Sequence, residues 1–508
     1  MKKTLLFVLL LGITLCAWAQ TVNGEVRWFE DKKVVRVWGT HAERGYAIGY
    51  LLGEQIPTVF DDYFLDGLMS GNPAYYAQVR TIYSMYYTAE AQYVTEFEAV
   101  LQGVEDSGAS IYNELLGRNL DVTDVLIVNA VIDLSALTRG FDPSHFGCAS
   151  ITSWAEATQD DPVLGGELVM TRFMDWSSSP SLRNNPVVIV HQPSEENEID
   201  WACFTYPGLL GALSAVDITG RAYMLNMGNY STLGTGSDSF YSQLLSIRTG
   251  VERYDYNEDG EHTLADVVDA VDGHRRAPGT IVMMVAPPEE EAPLVLESND
   301  MAGISVRRLA DNTEVQGTNI AATNHFRSLY APVYCSRYSK IVDSLAASPL
   351  MTLERSPKLL EGAAAVPHNL MAIRYDTATH TVGFATTTSA SDFAYEGPYT
   401  NLTMEDLFGE WTDVEGEDVP GTGALQLRSW PNPFNPSTTI AFNAAQQGQA
   451  QVRVYDIRGR LVQEVFDGTA HAGENRIAWD ATGLPSGVYL ARVKMAAGQQ
   501  TAKLLLLE

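Results

Sequence analysis

Two groups of residues in this chain have the types and spacing to do chemistry. The first is FGCASITSWAEAT at 146–158, followed by GELVMTRFMDW at 166–176. Gly147 leaves its carbonyl open, since no side chain stands between it and the thiol of Cys148. Arg172 and Asp175 lie three apart at the end of an apolar segment. On a regular strand they face opposite sides, so the spacing predicts that one or both lie in the following turn. An arginine beside a thiol favours the thiolate, and an aspartate can hold an ammonium group. On residue types alone, a core cysteine beside a surface ion pair is the plainer reading.

The second group is DYNEDGEHTLAD at 255–266, which fits the EF-hand pattern. Asp255, Asn257 and Asp259 take positions 1, 3 and 5, Gly260 supplies the turn, and Glu261 offers its carbonyl at 7. Thr263 stands at position 9 and Asp266 at 12, where a shorter Asp replaces the usual Glu. His262 takes the place of an aliphatic residue at 8. Alternating oxygen side chains around a tight loop suit Ca2+, here as a structural ion away from the chemistry; an acidic surface hairpin is the alternative. No cofactor is expected for catalysis.

The elements that must position these groups fall into blocks. Lys2 and Lys3, an apolar run from Thr4 to Leu15, and Ala17-Trp18-Ala19 have the order of a signal peptide over 1–19. Its removal takes Cys16 away and leaves Cys148, Cys203 and Cys335, of which Cys203 and Cys335 could pair or remain free thiols. Residues 21–38 read as strands, and 41–139 as helices, with Ile48, Leu52 and Ile56 recurring every fourth residue. Short apolar segments at 148–158, 167–176, 186–192, 200–206 and 210–227 read as strands. Helices followed by a strand-rich block predict a layered α+β domain, 20–408, divided at Gly147–Cys148 into 20–147 and 148–408. An acidic linker is expected over 409–424, with a small β-sandwich from 425 to 508.

Lys and Arg number 33 against 63 Asp and Glu, a formal charge of −30. Such a surface repels phosphate backbones and anionic lipid, which argues against nucleic-acid or membrane-surface binding. No later stretch reaches membrane-spanning length. From Leu425 onward 8 basic residues face 6 acidic ones, leaving 25 against 57 before it, so two differently built parts share the chain.

The stretch from about His41 to Tyr399 resembles the isopenicillin N acyltransferase-like family of N-terminal nucleophile hydrolases, related to penicillin acylases and bile-salt hydrolases. The likeness is carried by GTHAERGYAIGYLLGEQI at 39–56, GCASITSWAEAT, RFMDW, YPGLLGALSAVDITGRAYMLN, ATNHF at 322–326 and SRY at 336–338. Ala149, Phe173 and Asp217 depart from the family's usual Thr, Asn and Asn.

The resemblance implies a four-layer αββα sandwich and autocleavage at Gly147–Cys148. It makes Cys148 the nucleophile, its freed amine the base, Asp175 the holder of that amine and Arg172 the stabiliser of the thiolate. Asn324 becomes an oxyanion donor, Asn226 a second, and Arg337 a support. The implied activity is hydrolysis of a small-molecule N-acyl amide through an acyl-cysteine. An acyltransferase, or a catalytically dead, calcium-stabilised surface-binding protein, is the alternative. His41, His325 and His368 suggest a Cys–His dyad, though no spacing pairs any of them with Cys148. The tail, with PNPFNPSTTIAF, VRVYDIRGRLV and WDATGLPSGVYLARV, resembles a type IX secretion sorting domain and the Ig-like module of hook-capping proteins. That likeness implies a partner in secretion or cell-surface machinery and a secreted or surface protein of a diderm bacterium.

Overall fold

The computed structural model describes residues 20–137, 147–176, 179–228, 233–277, 279–364, 369–411, 427–430, 432, 434–444, 447–456, 461–495 and 498–507. The signal-peptide segment 1–19, His368 and most of the acidic linker therefore lie outside the described residues. The chain forms two compact units, Met1–Gly409 and Glu410–Glu508.

Two sheets build the first unit. The nine-stranded one runs in the order Gly24–Phe29, Lys32–Gly39, Val187–Pro193, Trp201–Thr205, Ser214–Asp217, Ala222–Gly228, Gly279–Val285, Leu294–Asn299, Gly303–Arg307. Its neighbours are antiparallel except Lys32–Gly39 beside Val187–Pro193. The six-stranded sheet runs Asn319–Ala322, Gly147–Ser153, Val169–Asp175, Asn369–Asp376, Thr381–Thr386, Thr400–Thr403, all antiparallel. Every residue of Gly147–Ser153, Val169–Asp175, Ala222–Gly228 and Gly279–Val285 is buried. Strands covered on both faces read as continuous apolar runs rather than alternations.

One face of the six-stranded sheet packs on the helices Ser336–Ala347 and Arg355–Glu361, through Ala149, Ile151, Phe173, Ile341 and Leu360. The other meets the nine-stranded sheet, where Ser150 bonds Asn226 and Arg172 bonds Ser214. The helix His41–Leu51 lies on Lys32–Gly39 and pairs with Ala91–Asp106. A Cβ at Gly45 would sit 2.1 Å from the Glu96 carbonyl oxygen, and one at Gly49 1.9 Å from that of Val100. These two glycines, costly inside a helix at about 1 kcal/mol each, let the backbones touch.

The helical block is less regular than its periodicity predicts. Ile48, Leu52 and Ile56 are all buried, but one helix stops at Leu51 and another starts at Gln55. Val59–Leu68 winds as a π-helix, a form that recurs at functional sites. Thr40 with Glu43, and Asp121 with Asp124, form capping boxes at their helix starts.

The second unit holds a three-stranded and a four-stranded sheet around one core that includes Phe434, Ile440, Val452, Trp479 and Leu504. No helix among the described residues is long and apolar enough to cross a membrane.

Candidate active site

Gly147–Ser153 sits between Asn319–Ala322 and Val169–Asp175, so three strands carry the groups singled out in the sequence. Cys148 is buried, and its register partner is Met174. Alternation turns Cys148 and Ser150 toward the opposite sheet, while Ala149 and Ile151 enter the helix-side core.

Arg172 pairs with Ser150 across the strands and extends beneath the sulfur. Its Nη2 lies 3.4 Å from Cys148 Sγ and donates to Leu225 O at 2.8 Å, while Nη1 donates to Ser214 Oγ at 2.7 Å. No carboxylate among the described residues lies within ion-pair distance of this buried guanidinium. Neutral acceptors orient it, and a thiolate at Cys148 would be its counter-ion.

The backbone of Cys148 is held by side chains. Its N–H donates to Asn324 Oδ1 at 2.8 Å, and its carbonyl accepts from Arg337 Nη1 at 3.1 Å. Arg337 also donates to Asn324 Oδ1 and lies 3.8 Å from Asp175 Oδ2. Asp175 is buried, pairs with Gly147 across the ladder and accepts from Asn369 Nδ2 at 3.1 Å.

Several expectations change here. Arg172 and Asp175 both belong to the strand Val169–Asp175, so neither lies in a turn. They do face opposite sides, Arg172 toward the sheet interface and Asp175 toward Arg337 on the helix side. The site wraps around the end of the strand, which lets both faces reach one residue. Asn324 presents its oxygen, not its nitrogen, to Cys148, while Nδ2 donates to Met227 O at 2.6 Å. Asn226 reaches Ser150, donating to its Oγ at 2.7 Å, rather than Cys148. Cys203 and Cys335 are both free, buried thiols. His41 is bound to Glu96 and Glu198, at 2.6 and 2.9 Å. His325 is held below the usual imidazole range by burial and by the charges of Arg327 and Arg337.

Sequence alone missed Ser214, Asn369 and the carbonyls of Leu225 and Met227, which belong to strands and loops far away in the chain. It also missed a cavity beside the nucleophile. Met174, Trp176, Tyr206, Leu213, Tyr63 and Ile132 are among its walls, and it encloses about 340 Å³, part of it open to solvent. The last two precede Cys148 in the chain and the others follow it.

In the acidic loop, Asp255 accepts the N–H groups of Asp259 and Gly260, both at 2.9 Å, and Glu258 and Gly260 take positive φ of 61° and 92°. Asp266 is the third residue of the helix Leu264–Gly273, capped by Thr263, and accepts from Tyr256 N at 2.7 Å. The loop is thus wound around its own carboxylates, with oxygen donors only, the donor chemistry that Ca2+ takes. One group of three His, Cys, Asp or Glu side chains with ligand atoms within 4.8 Å of one another occurs among the described residues, and it lies elsewhere: His41, Glu198 and Glu252. Arg44 Nη2 lies 2.6 Å from Glu198, and Arg248 Nε 2.9 Å from Glu252, so cations of the protein already occupy that cluster.

Residues 428–507 match the secretion system C-terminal sorting domain family, so the tail is a sorting domain. The curated protein dcd1B of Dictyostelium discoideum is 24% identical over 221 residues; the match covers 39% of this chain and 39% of that protein's length. Among solved structures, the chain is similar to the Caenorhabditis elegans N-acylethanolamine-hydrolyzing acid amidase ortholog. The identity there is 13% with a TM-score of 0.30, covering 45% of this chain and 92% of the other. A mutant of the conjugated bile acid hydrolase from Clostridium perfringens matches at 9% identity and a TM-score of 0.32, covering 53% and 95%.

Proposed function

We propose that this chain is an exported cysteine amidase of the N-terminal nucleophile kind, folded as a four-layer αββα sandwich with a β-sandwich sorting tail. It would cleave its own Gly147–Cys148 bond and then hydrolyse linear N-acyl amides through an acyl-cysteine. The observation that carries this is the set of bonds around one residue: sulfur on Arg172, amide nitrogen on Asn324, carbonyl on Arg337.

The thiol attacks the Gly147 carbonyl, the acyl group passes from nitrogen to sulfur, and water hydrolyses the thioester. Cys148 then begins a new chain, and its α-amine, with an ordinary pKa of about 8, serves as base for its own thiol. Asn324 Oδ1 already accepts from that nitrogen and keeps it in place after scission. Arg172 stabilises the thiolate, and Arg337 and Asp175 fix the start of the new chain. The oxyanion donor is Asn324 Nδ2, which must then leave Met227 O, with Asn226 as the second donor; such donors are worth about 3–4 kcal/mol. The amine returns its proton to the leaving group, and water attacks the acyl-cysteine. The cavity beside Met174 takes the acyl group. An acyltransferase is the same chemistry with an amine in place of that water.

The sorting tail would deliver the protein to the cell surface or medium, and the loop at 255–266 would bind a structural Ca2+. Mass spectrometry and a panel of chromogenic N-acyl amides test the enzyme. Two fragments breaking at Gly147–Cys148, with both scission and turnover lost in Cys148→Ala, are expected. A single chain that still hydrolyses amides as Cys148→Ala overturns the proposal.

A further inference from the structure

The cavity beside the nucleophile carries three polar groups on otherwise apolar walls. Two of them satisfy each other, because Trp176 Nε1 donates to the hydroxyl of Tyr63. The third, the hydroxyl of Tyr206, is buried and has no hydrogen-bond partner among the described residues. Leaving a buried hydroxyl unpaired is costly, so native structures seldom do it without a reason.

Tyr206 is also poorly placed to swing away and find a partner. It directly follows the strand Trp201–Thr205 and opens a tight turn, in which Leu209 N donates to Tyr206 O at 3.0 Å and Gly208 takes φ of 91°. Asn129 pins that turn from the helix side. Its Nδ2 donates to Gly208 O at 2.9 Å, and its Oδ1 accepts from Leu210 N and Gly211 N at 2.7 and 3.0 Å. Burial holds the phenol far above its ordinary range, against the opposing charge of Arg172, so it remains a neutral O–H donor. Met174, the register partner of Cys148, lines the same cavity, which puts the hydroxyl on the path of whatever is attached to the sulfur.

We propose that Tyr206 is a specificity-determining residue, selecting an acyl group that is compact and apolar except for one hydrogen-bond-accepting atom, such as a ketone, ether or amide oxygen. This rests on the acyl-cysteine chemistry proposed above. A space of about 340 Å³ lies near the lower end of ligand-sized clefts, roughly 300–1,000 Å³, and its apolar walls offer nothing to a charged acyl group. A substrate with an acceptor at the right position pairs the hydroxyl, while its all-carbon analogue leaves the hydroxyl stranded.

The test is a set of paired N-acyl amides, each pair differing by one CH2 replaced with an ether oxygen or a ketone, moved stepwise along the acyl chain. One position is expected to raise kcat/KM over its parent by roughly 5- to 100-fold. Tyr206→Phe keeps the ring and should collapse that ratio to near one, whatever happens to the absolute rates. No favoured position, or a preference that survives Tyr206→Phe, overturns the proposal. If the wild-type chain hydrolyses none of the pairs, the amidase function fails separately. Calorimetric binding of the same pairs to the full chain then decides Tyr206: the same preference, lost in Tyr206→Phe, supports it, and equal or no binding overturns it.

Discussion

At Cys148 three different side chains hold the sulfur, the nitrogen and the carbonyl, and each arrives on a different element. Arg172 is the most constrained of them, since its planar fork serves Ser214, Leu225 and the sulfur together. A lysine keeps the charge but not the fork. Arg172→Lys is therefore expected to lower kcat/KM by roughly 10- to 100-fold, the worth of one charge-assisted hydrogen bond. The pH at which iodoacetamide alkylates Cys148 should rise with it, while the unfolding midpoint stays close to wild type. An unchanged alkylation profile would show that the guanidinium does not tune the thiol. The types of Cys148, Arg172, Asp175, Asn324 and Arg337 were readable from the sequence, but the orientation of the Asn324 carboxamide was not. It depends on Met227 and Arg337, residues from two other segments.

Local chemistry decides the elements more fully. The helix starts at Thr40 and Asp121 follow their capping residues, and the loop at 255–266 winds as its spacing predicts. In that loop Asp255 ties down two backbone N–H groups, whereas Asp266 also caps a helix. Asp255→Ala is the cleaner probe, because it spares that capping box. Titration of the full chain with Ca2+ should give a binding heat and a higher unfolding midpoint, both lost in Asp255→Ala. An intact chain that gives no heat removes the ion from this loop. Periodicity failed where packing took over. Nothing in VFDDYFLDGL announces a π-helix, and the glycines at 45 and 49 look helix-breaking until the Ala91–Asp106 helix is laid against them.

Across the whole first unit, a buried charge network joins the segment before Cys148 to the segment after it. His41 and Glu96 come from the first; Glu198, Arg248 and Glu252 come from the second. Arg248 grips Glu96 at 2.6 and 2.8 Å, and His41 bridges Glu96 and Glu198. Scission at residue 147 would thus leave the two pieces held together. Burial alone would pull the His41 pKa down, but hydrogen bonds to Glu198 and Glu96 raise it to about 9. A folded-state pKa above the ordinary 6.5 means stabilisation that is complete below pH 6.5 and lost as pH rises through about 9. The span corresponds to about 3 kcal/mol. The unfolding midpoint should fall between pH 6.5 and 9.5, and fall less in His41→Gln, with the remaining slope due to His262, also raised to about 9 beside Asp217. A wild-type midpoint that is flat over this range contradicts the network.

What the sequence by itself determined is whatever acts over a few residues: the Gly147–Cys148 pair, the helix caps, the wound acidic loop and the sorting tail. These depend on covalent neighbours and hydrogen bonds that close within a turn. Only the tertiary structure decided which atoms meet the sulfur, that Tyr63 and Ile132 share a cavity with Tyr206, and that His41 is bound to Glu96 and Glu198. Those contacts join residues up to 176 positions apart, as between Cys148 and Asn324, and exist only once two sheets stack and exclude water. Chain order carries no record of which faces will be pressed together, because that is set by the burial of all the strands at once.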